Sequence, residues 1–215
     1  MEPVATVRPM TRSDVAEVAR LHRAAFAGSL GVALGDRYGR RMLRWYLDEP
    51  GAIALVATRG PRIVGYVFGA DDRRWSALNR ALLASAVAGV LRRPWIVLQP
   101  AFLRKVPERL GNLFHRVPMD SVPAEERVRK TGGVFDLVGI GVAPDARGQR
   151  IGEALIDAFV DRVRETSRFR SVLLGVYATN RSAHRLYERN GFRCLSDDGR
   201  VRHYLRDLEE CRKPQ

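Results

Sequence analysis

Cysteine is nearly absent from this chain: Cys194 and Cys211 are the only two among 215 residues. Two cysteines cannot staple a small secreted scaffold, and the opening MEPVATVRPMTRSD lacks the apolar segment of a secretion signal, so both thiols are expected free in a reducing, cytoplasmic setting. Long apolar runs are missing as well. The longest helical-looking one, ALLASAVAGVL at 81–91, ends at Arg92, Arg93 and Pro94 and is too short to span a bilayer. No histidine or cysteine cluster has metal-ligand spacing, so no metal is expected. Zinc-finger spacing, an aromatic RNP string and basic repeats are all lacking, which argues against nucleic acid as a partner. Acidic residues are the minority, 24 against 37 basic, and the net charge of +13 creates a field that favours anionic ligands.

What the chain does contain is a hydrophobic content of 46%, enough to build the core of one domain over 1–215. A strand is expected at 4–8, then a helix capped by Thr11 or Ser13 that places Val15, Val18, Ala19, His22 and Phe26 on one face. A loop at 28–35 and a helix at 38–47 follow, and strands 52–58 and 62–70 around Arg59-Gly60-Pro61 should form an antiparallel hairpin. Residues 71–133 break this rhythm with apolar helical pieces interrupted by prolines, including a helix after Pro107 carrying Leu110, Leu113, Phe114 and Val117. That stretch reads as a helical insertion or lid. A strand at 134–142, a helix to about 167, a strand at 171–177, a helix at 181–190 and strands at 192–196 and 201–205 complete a mixed α/β pattern.

The junction LVGIGVAPDARGQRIGEAL at 137–155 passes from strand period to helical period across ARGQRIG. The first amides of such a helix are unpaired and lie at the positive end of its dipole, so anions bind there. Gly148 and Gly152 let a ligand approach the backbone, and Arg147 and Arg150 add positive charge. The spacing fits neither a dinucleotide fingerprint nor a Walker loop. By itself the loop is equally consistent with an ordinary βα turn.

A second segment, NRSAHRLYERNGF at 180–192, puts Ala183, Leu186, Tyr187 and Asn190 on one helical face and ends in Gly191. With both segments in place the chain resembles the GNAT superfamily of acetyl-CoA-dependent N-acetyltransferases. The likeness is close over 134–192 and looser over the early β-α-α-β-β order, whereas 71–133 matches nothing in the common core. It implies a GNAT-like α/β fold: a mixed, mostly antiparallel sheet flanked by helices, with the helical insertion between the third and fourth strands. One departure is Arg150, which occupies the first glycine position of the loop pattern.

The resemblance also implies roles. The backbone of Ile140, Gly141 and Val142 would pair with the pantetheine arm like an added strand. The amides of Arg147, Gly148, Gln149, Arg150, Ile151 and Gly152, with the Arg147 side chain, would hold the pyrophosphate. Asn180 and Ala183 would meet the donor, and Tyr187 would stand beside the thioester sulfur as the acid that protonates the leaving thiolate. The alternative for Tyr187 is a packed core tyrosine. The Val142 N–H would stabilise the oxyanion, and transfer would be direct, within a ternary complex.

A base is also needed, because an amine near pKa ~10 is protonated in water. Gly175 stands where some relatives carry Glu, which leaves Asp136. Strand alternation puts it in phase with Val138, Ile140 and Val142, facing the cleft, with a solvated strand-start residue as the alternative. Tyr177 either lines the acceptor pocket or packs. His22 and His115 fall on apolar helical faces, His184 is expected on a helix surface, and the pattern assigns His203 no role.

The acceptor pocket would draw on residues 26–46 and the insertion, whose 12 basic and 6 acidic residues favour an anionic amine such as a nucleotide-linked amino sugar. A protein N-terminus or lysine is the enzymatic alternative, and a non-catalytic acetyl-CoA sensor the other. Expected partners are thus acetyl-CoA and an amine acceptor. A homodimer and peripheral membrane contact through 81–105 stay open.

Overall fold

The computed structural model describes residues 5–27, 29–92, 124, 128–129 and 132–208. Along the chain run β1 (Thr6–Pro9), α1 (Val15–Ala25), the single turn α2 (Leu30–Ala33), α3 (Asp36–Asp48), β2 (Ile53–Arg59), β3 (Arg62–Asp71) and α4 (Trp75–Arg92). After the insertion come β4 (Val134–Val142), α5 (Ile151–Glu165), β5 (Ser171–Tyr177), α6 (Arg181–Arg189), β6 (Arg193–Asp197) and β7 (Val201–Asp207). The strands form one seven-stranded sheet in the order β1-β2-β3-β4-β5-β7-β6. Every neighbouring pair is antiparallel except β4 and β5.

The expected elements match to within a few residues, and the hairpin of β2 and β3 is present. Two expectations need correction. Residues 30–33 coil into a helical turn inside the anticipated loop. In the insertion, the helix anticipated around 81–91 begins six residues earlier, at Trp75. The helix expected after Pro107, together with His115, lies outside the described residues.

Each face of the sheet has its own core. Leu155, Ile156, Phe159, Val160 and Val163 of α5 repeat at helical spacing and close over Phe135, Leu137, Val172 and Leu174, all nearly inaccessible. On the other face α1, α3 and α4 bury Val18, Leu43, Tyr46 and Leu82 against Tyr66 and Phe68. Burying a large aliphatic or aromatic side chain stabilises by about 1.5–3 kcal/mol, so these two layers fix the geometry of the strands between them. The outer face of α4 stays apolar, with Leu83, Val87 and Leu91 at 63%, 50% and 77% exposure. No helix among the described residues is long and apolar enough to cross a membrane.

Candidate active site

The site begins where two strands part. β4 and β5 pair only from Val134–Asp136 to Ser171–Leu173. Beyond that point β4 is bonded only to β3, and β5 only to β7. The parting opens a cleft of about 1490 Å³, lined by Leu137 to Val142 on one side and by Gly175, Val176 and Tyr177 on the other. A strand with one unpaired edge offers its amides and carbonyls to an extended ligand. The Ala143 N–H donates to Val64 O on β3 at 2.8 Å, so by strand alternation the Val142 N–H points the opposite way, into the cleft.

At the end of β4, Pro144 halts the strand and α5 starts at Ile151, with Arg147, Gly148, Arg150, Ile151 and Gly152 lining the cleft. The first bond of the helix runs from the Ala154 N–H to Arg150 O at 3.0 Å. Among the described residues the amides from Gly148 to Gly152 donate to no backbone carbonyl, so they converge unpaired at the positive end of a 15-residue helix. Gly148 and Arg150 both adopt positive φ, +77° and +58°. Gly148 does so freely, whereas Arg150 holds the left-handed conformation with a full side chain. Gly152 is required for another reason: a Cβ there would come within 3.2 Å of Leu186, so its absence lets α5 lie against α6. Arg147 directs Nε at Val142 O, 3.4 Å away, and the Gln149 side chain accepts from Arg59.

α6 forms the far wall. Asn180 caps it, its side-chain oxygen accepting from the Ala183 N–H at 3.2 Å, and Asn180, Ala183, Leu186 and Tyr187 line the cleft. Tyr187 is 5% exposed, its ring 5.7 Å from Phe192 and 6.0 Å from Tyr204. Its hydroxyl bonds to no described residue, and burial raises its pKa well above that of a free phenol, so the proton stays on oxygen at neutral pH. His184 corrects the surface expectation. It is buried, Nε2 donates to Ala178 O at 3.1 Å, and Nδ1 lies 3.1 Å from the oxygen of the Tyr204 hydroxyl, whose distance to Glu188 Oε1 is 3.0 Å. This network anchors α6 beneath Tyr187.

Asp136 does not share a face with Ile140 and Val142. Phe68 pairs with Gly139 and Gly69 with Leu137, so Val138 is an extra residue in a β-bulge and strand parity shifts there. Ile140 and Val142 pack toward α5, while Asp136, opposite Ala70, points to the α1–α3 face. It is 3% exposed, its carboxylate lies 2.6 Å from the Arg129 guanidinium, and it is not part of the cleft lining. The other wall of the cleft mouth comes from Ala25, Phe26, Ala27 and Ser29 at the end of α1. His22 sits behind them, Nδ1 2.9 Å from the Tyr66 hydroxyl, and burial lowers its pKa to about 4. Among the described residues no group of acidic, histidine or cysteine side chains could hold a metal ion.

Comparison with known proteins agrees with this geometry. The model of the acetyltransferase (GNAT) family matches residues 113–192. The mycothiol acetyltransferase of Salinispora arenicola is 30% identical over 179 residues, covering 77% of this chain and 56% of that protein. The mycothiol acetyltransferase of Geodermatophilus obscurus is 32% identical over 164 residues, covering 71% of this chain and 50% of the other. The chain thus spans about half the length of these relatives. Among solved structures, Arabidopsis thaliana NAA60 in complex with acetyl-CoA superposes with a TM-score of 0.58 at 16% identity, over 96% of this chain and 99% of that one. The parted parallel strands, the open helix N-terminus and both motifs thus coincide with the match of residues 113–192 to the acetyltransferase (GNAT) family and with the fold of a protein solved in complex with acetyl-CoA.

Proposed function

We propose that the protein moves the acetyl group of acetyl-CoA onto the primary amine of a small anionic acceptor, by direct attack in a ternary complex. The observation that carries this reading is the parting of β4 and β5 beside the unpaired amides of residues 148–152. The free edge at Ile140, Gly141 and Val142 pairs with the pantetheine arm. The amides from Gly148 to Gly152, with the Arg147 and Arg150 guanidiniums, hold the pyrophosphate, while the Arg147 N–H is taken by Pro144 O. Asn180 and Ala183 flank the arm where α6 begins.

The Val142 N–H, directed into the cleft, stabilises the oxyanion that forms when the amine attacks. Tyr187 protonates the departing sulfur. Desolvation raises the proton affinity of the nascent thiolate as it does that of the phenol, so the transfer stays matched inside the cleft.

A small acceptor is supported by relatives named for mycothiol rather than for a protein. An anionic one is supported by the +13 charge and by the surplus of basic residues in 71–133. A nucleotide-linked amino sugar is one such class. The test is CoA release from acetyl-CoA with a panel comprising a UDP-linked amino sugar, glucosamine 1-phosphate, spermidine and an alanyl peptide. Turnover is expected with the first two. Preference for the peptide would make the protein an N-terminal acetyltransferase, and acetyl-CoA binding without turnover on any amine would make it a sensor. The apolar outer stripe of α4 supports a membrane-surface role for 81–105, and failure to float with anionic vesicles would remove it.

A further inference from the structure

Acetyl transfer needs a group that takes the proton of the attacking amine, and Asp136 is too deep and already paired with Arg129. The requirement is geometric. Tyr187 reaches the gap between β4 and β5 from the face that carries α5, so the sulfur leaves on that side. The amine must then approach from the opposite face, past the end of α1, and its base has to stand there too.

On that face β5 presents Gly175, which is exposed and lines the cleft. Leu174 and Val176 point to the α5 core, so position 175 faces the other way, in register with His203 of the neighbouring strand β7. A Cβ at Gly175 would lie 3.3 Å from His203 Cδ2 and 3.4 Å from His203 Nε2. The half-buried imidazole thus lies against position 175 with its Cδ2–Nε2 edge nearest, one strand behind the residues that line the cleft. Its other nitrogen, Nδ1, is 3.2 Å from the Ser196 hydroxyl on β6. When Ser196 accepts the Nδ1–H, the imidazole is held in the tautomer whose Nε2 can take up a proton.

We infer that His203 is the base of the reaction, taking the amine proton at Nε2 through a water that crosses Gly175, with Ser196 as the positioning residue that sets its tautomer. This rests on the acetyl-transfer reading above. The amine nitrogen forms a bond to the acetyl carbon, and its proton passes to Nε2. The carbon–sulfur bond breaks, with its electron pair leaving on sulfur and Tyr187 supplying the sulfur's proton. Solvent then removes the imidazolium proton and reprotonates Tyr187, so amine and acetyl-CoA become amide and CoA.

The experiment measures CoA release with the panel amine that the wild type acetylates fastest, beside calorimetric acetyl-CoA binding. His203→Ala is expected to keep acetyl-CoA affinity and lose roughly 100-fold or more in kcat. Added imidazole should restore much of that loss, and Ser196→Ala should lower kcat several-fold without moving the KM for acetyl-CoA. His203→Ala turnover within about threefold of wild type overturns the inference, and so does a lost turnover that imidazole does not rescue. If His203→Ala fails to bind acetyl-CoA, His203→Gln replaces it, with the same 100-fold loss expected and wild-type-like turnover refuting. A wild type that binds acetyl-CoA but turns over no amine defeats the functional reading itself, an outcome distinct from failure of the His203 variants.

Discussion

Arg150 gives the sharpest test of the phosphate loop, because its backbone and its side chain should respond in opposite directions. The backbone sits at φ +58° and ψ +12°, where a residue bearing a Cβ is disfavoured by roughly 1–2 kcal/mol. Glycine removes that strain but adds freedom to the unfolded chain, worth about 0.5–1 kcal/mol. Arg150→Gly should therefore stabilise the protein by about 0.5–1 kcal/mol, a rise in Tm of about 1–4 °C for a chain of this size. Its exposed guanidinium, if it neutralises a donor phosphate a few ångströms away across water, contributes about 1 kcal/mol to binding. Losing it should weaken CoA binding roughly fivefold at low salt, and the difference should shrink as salt rises. Arg150→Ala separates the two effects: it keeps the strain and loses the charge, so affinity falls while Tm does not rise. Differential scanning of the free protein and calorimetry with CoA at two salt concentrations measure both. A Tm that falls in Arg150→Gly refutes the strain argument, and an affinity equal to wild type in both variants refutes the phosphate contact.

Three further outcomes follow from the site. Tyr187→Phe should cut kcat by about 10–100-fold with acetyl-CoA affinity nearly unchanged, and undiminished turnover would remove Tyr187 as proton donor. Asp136→Asn should cost about 2 kcal/mol in urea unfolding, because it leaves Arg129 facing a neutral partner in a half-buried pair. Its kcat should stay within about threefold, and a collapse of kcat at full stability would return the base to Asp136. Burial lowers the pKa of His22 from 6.5 to about 4, so as pH falls from 6.5 the unfolded chain takes a proton that the folded chain refuses. The corresponding stability is complete above pH 6.5 and is lost as pH falls through 4, by up to about 3 kcal/mol at 1.36 kcal/mol per pH unit. His22→Gln should flatten that stretch of stability against pH, and an unchanged slope would refute the burial argument.

Local signals carried the strand-to-helix junction into view. Pro144 ending β4, the glycines of the loop and the helical repeat of α5 each act within a few residues of one another, so the turn and its open helix N-terminus were legible from period and turn chemistry. Asp136 was misread because alternation holds only while a strand pairs regularly. The bulge at Val138 leaves no composition signal, and it moves Ile140 and Val142 to the opposite face. His184 was misread for a related reason: its helix face becomes interior only when Tyr204 of β7 docks beneath it.

His203 shows the limit most clearly. Gly175 alone reads as a missing carboxylate, and a histidine 28 positions later reads as nothing in particular. The order β4-β5-β7-β6 threads β7 against β5 ahead of β6, and only that crossover sets residue 203 opposite residue 175. A vacancy in one strand and an unassigned side chain in another become one feature through register, which is a property of the pair. A base supplied across a strand also constrains both positions at once. A Cβ at 175 presses on the imidazole edge at 3.3 Å and a longer side chain displaces it, so turnover should fall slightly in Gly175→Ala and strongly in Gly175→Val while donor affinity persists, and a Gly175→Val variant that binds acetyl-CoA with unchanged kcat would refute a part for the imidazole in the reaction.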